Sequence, residues 1–306
     1  MTARSAAAGS YCGRFAPTPS GPLHLGSLLT ALASYLDARC NDGRWLLRID
    51  DLDRPRCVPG ADTQILRQLE AHALYWDEAP RYQSQHLAEY ESALARLAAQ
   101  GWLYACRCTR AALAASALPG PDGPVYPGTC RTLRLAFDDQ ALRVSVPDGL
   151  LRLDDRIQGR LQRDAASELG DFVVRRRDGI IGYHLACAVD EAAQGITDVV
   201  RGADLIGATF AQNVLQQALA LPTPRYAHVP VLVDASGHKL SKQNHAAPLD
   251  TAEAGANLWL CLRWLRQMPP AALRDAAPAE ILTWGIAHWH ADALRDTHRQ
   301  TVEAPP

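Results

Sequence analysis

The stretch GRFAPTPSGPLHLGS, Gly13 to Ser27, constrains the fold more than any other part of the chain. Pro17, Pro19 and Pro22 stiffen it, while Gly21 and Gly26 permit tight turns and close approach of a ligand to the backbone. The residues that follow, SLLTALASYLDAR, place Leu28, Leu32, Tyr35 and Leu36 on one helical face. RWLLRI, Arg44 to Ile49, then reads as a short buried strand ended by the acidic turn Asp50, Asp51 and Asp53. Loop, helix and strand in this order make an α/β unit. His24 and Gly26 fall at the start of the helix, where free N–H groups and the helix dipole favour anions. Taken alone, the loop fits either a surface turn with an exposed histidine or a phosphate site.

Further along, DTQILRQLEAHAL predicts a helix with Asp62 as N-cap. LAEYESALARLAAQG carries Leu87, Tyr90, Leu94 and Leu97 at helical spacing and stops at Gly101. From about Tyr104 to Gly179, Gly, Pro, Cys and Arg become frequent, which predicts an inserted β-rich module; ALRVSVPDG and DFVVRRRDG read as its short strands. GYHLACAVDEAAQGITDVVRGADL reads as strand, turn and strand, TFAQNVLQQALAL as helix, and RYAHVPVLVDASGHKLSKQ as a strand leading into a glycine-bearing loop. The remainder is mostly helical, with amphipathic AGANLWLCLRWLRQM.

The 306 residues suffice for a large core, and a hydrophobic content of 48% with 21% charged residues is ordinary for a soluble protein. No apolar run approaches the ~18 residues of a membrane span, and Met1 to Ser10 shows no secretory h-region, so a reduced cytoplasmic setting is expected. A net charge of −2 argues against bulk non-specific nucleic-acid binding. Eight cysteines make no disulfide scaffold, and Cys12, Cys40, Cys57, Cys187 and Cys261 read as small buried or semi-buried residues. Cys106, Cys108 and Cys130 differ. Three thiols close together in a loop-rich segment with little core suggest a structural zinc, one ligand short of a tetrahedron.

Lys239 and Lys242 are the only lysines, flanking Ser241 on a glycine-started loop after a strand; two ammonium groups there suit a polyphosphate leaving group. HLGS, His24 to Ser27, resembles the HIGH motif, and KLSKQ, Lys239 to Gln243, the KMSKS motif of class I aminoacyl-tRNA synthetases. GRFAPTPSGPLHLGSL, RWLLRIDDLDRPR, GITDVVRGADL and HKLSKQN are similar to the glutamyl branch of that class, from Gly13 to about Ala247.

The resemblance implies an α/β fold: a Rossmann-type class I synthetase catalytic core with an inserted zinc-bearing α/β module and a short C-terminal helical region. The expected division is residues 11–103 and 180–232 for the two halves of the core, 104–179 for the module, and 233–300 for the lysine loop and helical region. It implies a glutamate site at Arg14, Phe15, Ala16, Pro17, Thr18, Asp50, Tyr183 and Arg201. His24, Gly26, Ser27 and Lys242 would bind ATP, which enters with Mg²⁺, and His24, Gly26, Lys239 and Lys242 would be catalytic. Tyr126, four residues before Cys130, would complete the zinc site of Cys106, Cys108 and Cys130, at one Zn²⁺ per chain. Two departures stand out: Asp50 replaces the family's usual Glu, and IGATFAQ replaces its usual STPRQ.

Only 63 residues follow Gln243 (306 − 243), too few for a separate anticodon-binding domain of ~100 residues or more. The resemblance therefore narrows to the truncated paralogues, expected as monomers. These activate L-glutamate with ATP, without tRNA, and transfer it to queuosine at the wobble position of tRNA(Asp). The alternatives are a small glutamyl-tRNA synthetase charging the tRNA(Glu) 3′ end and a catalytically inactive RNA-binding paralogue.

Overall fold

Two short parallel strands and the helix between them set the frame. β1 (Cys12–Phe15) is fully buried and pairs with β2 (Arg44–Ile49), Cys12 opposite Arg44 and Phe15 opposite Leu47. In this computed structural model, which describes residues 11–234, 236–237 and 247–301, the Pro/Gly loop leads from β1 into α1 (Leu25–Arg39). Leu28, Leu32 and Leu36 of α1 are fully buried, and Tyr35 packs edge-on against Trp45 of β2. α2 (Ala61–Ala71) follows. Its N-cap is Gly60, at φ 77°, rather than Asp62, which sits in the first turn and accepts from the Tyr82 hydroxyl at 3.1 Å. The left-handed backbone at the cap favours a residue without Cβ. β3 (Arg81–Tyr82) extends the parallel sheet from β2. α3 (Leu87–Ala99) buries Tyr90, Leu94 and Leu97, leaves Leu87 exposed, and is followed by Gly101 at φ 75°.

The chain then departs from the sheet. β4 (Leu103–Cys106) is followed by α4 (Arg110–Ser116) and β5 (Ala141–Val144), and β4 and β5 pair antiparallel. β6 (Leu150–Asp155) and β7 (Gly159–Asp164) form a hairpin, and β8 (Val173–Arg175) returns to complete the sheet β4-β5-β8. Residues 183–193, read from sequence as a strand, are helix α5 (Tyr183–Ala193). A short apolar run does not by itself separate a buried strand from a buried helix. Here Leu185, Ala186, Ala188, Asp190 and Glu191 are buried together, and the alanine-rich stretch favours the helix.

β9 (Asp198–Gly202), α6 (Ile206–Ala218) and β10 (Arg225–Val229) make a second parallel unit, with Arg201 opposite His228. Asp155 pairs with Tyr226, so the sheet order is β7-β6-β10-β9 and the hairpin from residues 104–179 lies against the main sheet. Thr197 N–H donates to Cys12 O at 2.9 Å, and Cys12 N–H to Thr197 Oγ1 at 2.9 Å, which seats β9 beside β1. The chain thus runs outward from β1 in both directions, the geometry of a doubly wound α/β sheet.

β11 (Val231–Val233) comes next, and α7 (Ala254–Trp264) and α8 (Pro278–His288) pack on α1. Leu258, Leu262, Ile281 and Leu282 join the core of Leu28, Leu32, Leu36 and Trp45. The expected helical end also contains β12 (Arg299–Thr301), which pairs in parallel with β11. Cys12, Cys187 and Cys261 are buried and Cys57 half-buried as expected, but Cys40 is exposed. No described helix is long and apolar enough to cross a membrane.

Asp37 of α1 ties three distant segments together. Its carboxylate accepts from the Tyr11 hydroxyl, from Arg156 between β6 and β7, and from the Trp289 indole N–H at 3.0 Å. Asp37→Ala should lower unfolding free energy by about 3 kcal/mol, because it leaves a partly buried guanidinium and two donors unmatched. Urea unfolding with an unchanged m-value measures this directly.

Candidate active site and candidate metal site

A cleft of about 340 Å³ opens at the carboxyl ends of β1 and β9, where the sheet reverses its direction of growth. Arg14, Phe15, Ala16, Pro17, Thr18, His24, Gly26, Ser27, Tyr183 and Arg201 all line it. Three features of the loop put them there. Asp50 N–H donates to Pro17 O at 3.0 Å and Val58 N–H to Pro19 O at 2.9 Å, so the loop is stitched to the end of β2. Gly21 turns the chain at φ 127°. His24 caps α1, its Nδ1 accepting from Ser27 N–H at 3.3 Å. That bond fixes the ring proton on Nε2, which makes the other face of the ring a donor. Gly26 lies in the first turn of α1 and needs no unusual φ.

Behind the cleft lies a buried cluster of charge. Arg14 does not have its fork free: Nε and Nη2 both donate to Glu191 Oε1, at 3.3 and 2.9 Å, while Nη1 reaches Val200 O at 3.5 Å. Asp50 is buried but does not reach the cleft lining. It is held by Arg48, Nε to Oδ1 at 2.7 Å. Burial pushes the Asp50 carboxyl above its ordinary pKa against the pull of Arg48. Arg48, fully buried and on the cleft wall, was missed from sequence. The signal existed, since residues two apart in a strand share a face. Thr30, Arg56 and Asp204 also line the cleft without having been expected.

Arg201 is different. It is 3% exposed, and its partners are neutral: Thr209 Oγ1 at 2.6 Å, Gln212 Oε1 at 2.7 Å and His228 Nε2 at 3.4 Å. Its Nη1 has no hydrogen-bond partner, and among the described residues no Asp or Glu forms an ion pair with it. Burial opposes its charge, but nearby groups, Glu191 among them, outweigh this and hold its pKa above the ordinary value, so the guanidinium stays charged with no anion hydrogen-bonded to it. Lys239 and Lys242 lie outside the described residues.

A second cluster lies in the inserted segment. The sulfurs of Cys106, Cys108 and Cys130 all fall within 4.8 Å of one another, and the Tyr126 oxygen is 3.4 Å from Cys106 Sγ and 3.6 Å from Cys108 Sγ. Cys108 and Cys130 are 3.5 Å apart. Sulfurs ~2.3 Å from a tetrahedral zinc would be ~3.8 Å apart, so the donors fit a metal of that size. Cys130 N–H donates to the Tyr126 oxygen at 2.9 Å, and Arg143 stacks 3.8 Å over the Tyr126 ring. The small core here is Tyr104, Cys106, Tyr126 and Cys130; Asp171 anchors it, accepting from Tyr104 at 2.5 Å and from Arg131 Nε at 2.8 Å.

Residues 12–257 match the family model of class I tRNA synthetases of the E and Q type, catalytic domain. A glutamyl-Q tRNA(Asp) synthetase of Ectopseudomonas mendocina is 50% identical over 293 residues, spanning 96% of this chain and 97% of that one. One from Thiobacillus denitrificans is 51% identical, spanning 96% and 98%. The chain belongs to the glutamyl-Q tRNA(Asp) synthetase branch of this class I family. In fold it is similar to a glutamate-tRNA synthetase from Elizabethkingia anophelis, with a TM-score of 0.79 at 24% identity over 96% of this chain and 68% of that one. A synthetase of this family takes an amino acid, ATP and a tRNA.

Cys106 offers a measurable property. Burial works to raise its pKa, but hydrogen bonds with Tyr126 and Arg143 outweigh this and pull the thiol from 9.0 to about 7. Burial pushes Cys12, Cys40, Cys57, Cys187 and Cys261 upward instead. In metal-free protein, thiolate absorbance should therefore show one step near pH 7 that disappears in Cys106→Ser. Because the folded pKa lies below the unfolded one, the thiolate's contribution to stability is complete above pH 9 and is lost as pH falls through about 7.

Proposed function

We propose that the chain is a ligase that activates L-glutamate with ATP, without tRNA, and transfers the glutamyl group to queuosine at the wobble position of tRNA(Asp). The observation that carries this reading is the buried guanidinium of Arg201 on the cleft wall, with neutral partners and an unpartnered Nη1. It suits a carboxylate ligand. The names of the relatives from Ectopseudomonas mendocina and Thiobacillus denitrificans support the acceptor.

The chemistry assigned to the residues follows from charge. Arg201 receives a glutamate carboxylate as a forked acceptor. Arg14, its charge matched by Glu191, shapes the cleft wall beside it, and Tyr183 at the start of α5 offers a hydroxyl donor. Asp50 acts through Arg48, which stands between it and the cleft. His24 Nε2–H and the first-turn amides of α1 bind phosphate oxygens, and Lys239 and Lys242 draw off the charge of pyrophosphate. ATP enters with Mg²⁺, which neutralises phosphate charge. The α-carboxylate of glutamate attacks the α-phosphate, giving glutamyl-adenylate and releasing pyrophosphate; a cyclopentene hydroxyl of queuosine then attacks the activated carbonyl, loses its proton and displaces AMP, leaving a glutamyl ester. Positioning and electrostatics suffice for both steps.

Cys106, Cys108, Tyr126 and Cys130 would hold a zinc ion, which would give order to the inserted segment; with four protein ligands it would have no open position and its role would be structural.

Radiolabelled glutamate and ATP, incubated with queuosine-containing and queuosine-lacking tRNA(Asp), test the function. Label should enter only the former; charging of an unmodified tRNA(Glu) transcript would reassign the chain to ordinary glutamylation. Arg201→Ala should abolish calorimetric binding of glutamate and leave ATP binding intact, whereas equal loss of both would mark a general collapse of the cleft. Protein purified without chelator should carry one zinc per chain. Cys108→Ser should lose it and weaken transfer to tRNA, while glutamate-dependent ATP–pyrophosphate exchange largely survives.

A further inference from the structure

The stretch IGATFAQ departs from the family pattern at the start of α6, yet two of its residues hold Arg201. Thr209 and Gln212 are both fully buried, one helical turn apart, and each presents an oxygen to Arg201 Nη2. His228 on β10 supplies the third contact, through Nε2.

The state of His228 is set from behind. Its Nδ1 lies 2.6 Å from Asp155 Oδ2, and the other Asp155 oxygen accepts from Ile157 N–H at 2.9 Å and Gln158 N–H at 2.8 Å. Asp155 so furnished is an anion, and it keeps the His228 proton on Nδ1. Nε2 is then a lone pair that accepts from Arg201 Nε at 3.4 Å and faces Thr209 Oγ1 at 2.9 Å. Burial and the nearby Arg201 both oppose a second proton on this ring. Each group that touches Arg201 is thus an acceptor without charge, and the carboxylate that orders them stays on the far side of the imidazole.

Gln212 makes the choice plain. Its Oε1 accepts from Arg201, but its Nε2 is buried and has no partner. The amide nitrogen therefore contributes no hydrogen bond to the fold. A glutamate would have the same shape, keep the acceptor, and add an ion pair. We propose that Thr209, Gln212 and His228 form a neutral cradle that positions Arg201 while leaving its charge for the carboxylate of the amino-acid substrate. They are positioning residues that set selectivity for an anionic ligand. The inference rests on the reading of Arg201 as the glutamate-binding residue.

The test compares steady-state constants for glutamate and ATP in ATP–pyrophosphate exchange across four variants. Gln212→Glu places a carboxylate on Arg201 and should raise KM for glutamate by about tenfold or more, with KM for ATP unchanged and thermal stability no lower. Gln212→Met, which removes the acceptor without adding charge, should fall between the parent and Gln212→Glu. A purely structural role predicts the opposite order, with glutamate the best substitute. Thr209→Asp puts the charge at the second acceptor and carries the same expectation. Parent-like KM for glutamate in both acidic variants overturns the proposal, as does loss of ATP binding in both. Arg201→Lys separates the two layers. If it leaves KM for glutamate unchanged, the reading of Arg201 itself falls. If it raises KM while the acidic variants match the parent, only the neutral cradle falls.

Discussion

The pairing of Cys12 with Thr197 is the join on which the molecule depends. Two reciprocal bonds of 2.9 Å seat the start of β9 beside β1, across 185 residues of chain. On one side of this join the chain builds β1, β2 and β3; on the other it builds β9, β10 and the β6–β7 hairpin. Without it, the carboxyl ends of β1 and β9 would not meet, and no cleft would form between Arg14 and Arg201. The location follows the general behaviour of open parallel sheets, which bind ligands where the direction of strand addition reverses.

The cleft's two ends work by different physics. At the helix end, backbone amides and a capping histidine present donors that cost no side-chain burial. At the strand end, guanidinium groups are taken out of water, which is tolerable only where each is matched. Arg14 and Arg48 are matched by Glu191 and Asp50. Arg201 is left with neutral partners, so the site is poised for one more negative charge. The inserted segment is separate in its means of order: a small core, the Asp171 anchor and a cluster of sulfurs replace a large apolar interior.

The elements that were legible in the sequence are those with a strong local signal. β2 has the residues its apolar run suggested, and α1 and α3 follow their helical spacing to within a few residues. Residues 183–193 defeated the same approach because a short apolar run suits a strand or a helix equally, and the neighbours decide. β12 carries no apolar signature of its own; it exists because β11 offers it an edge.

For the site, sequence by itself determined which residue types the chemistry can draw on: the histidine at a helix start, the arginines at strand ends, and three thiols within one loop-rich segment. The family resemblance was enough to gather Arg14, His24, Tyr183 and Arg201 into one expectation, and all four line one cleft. Only the tertiary structure decided how those groups are charged and matched. It turned Arg14 toward Glu191, set Asp50 behind Arg48, and surrounded Arg201 with Thr209, Gln212 and His228. The reason is physical. A residue's identity fixes what charge it can carry, but burial and partners fix whether that charge is spent within the protein or kept for a ligand, and those come from segments far apart in the chain.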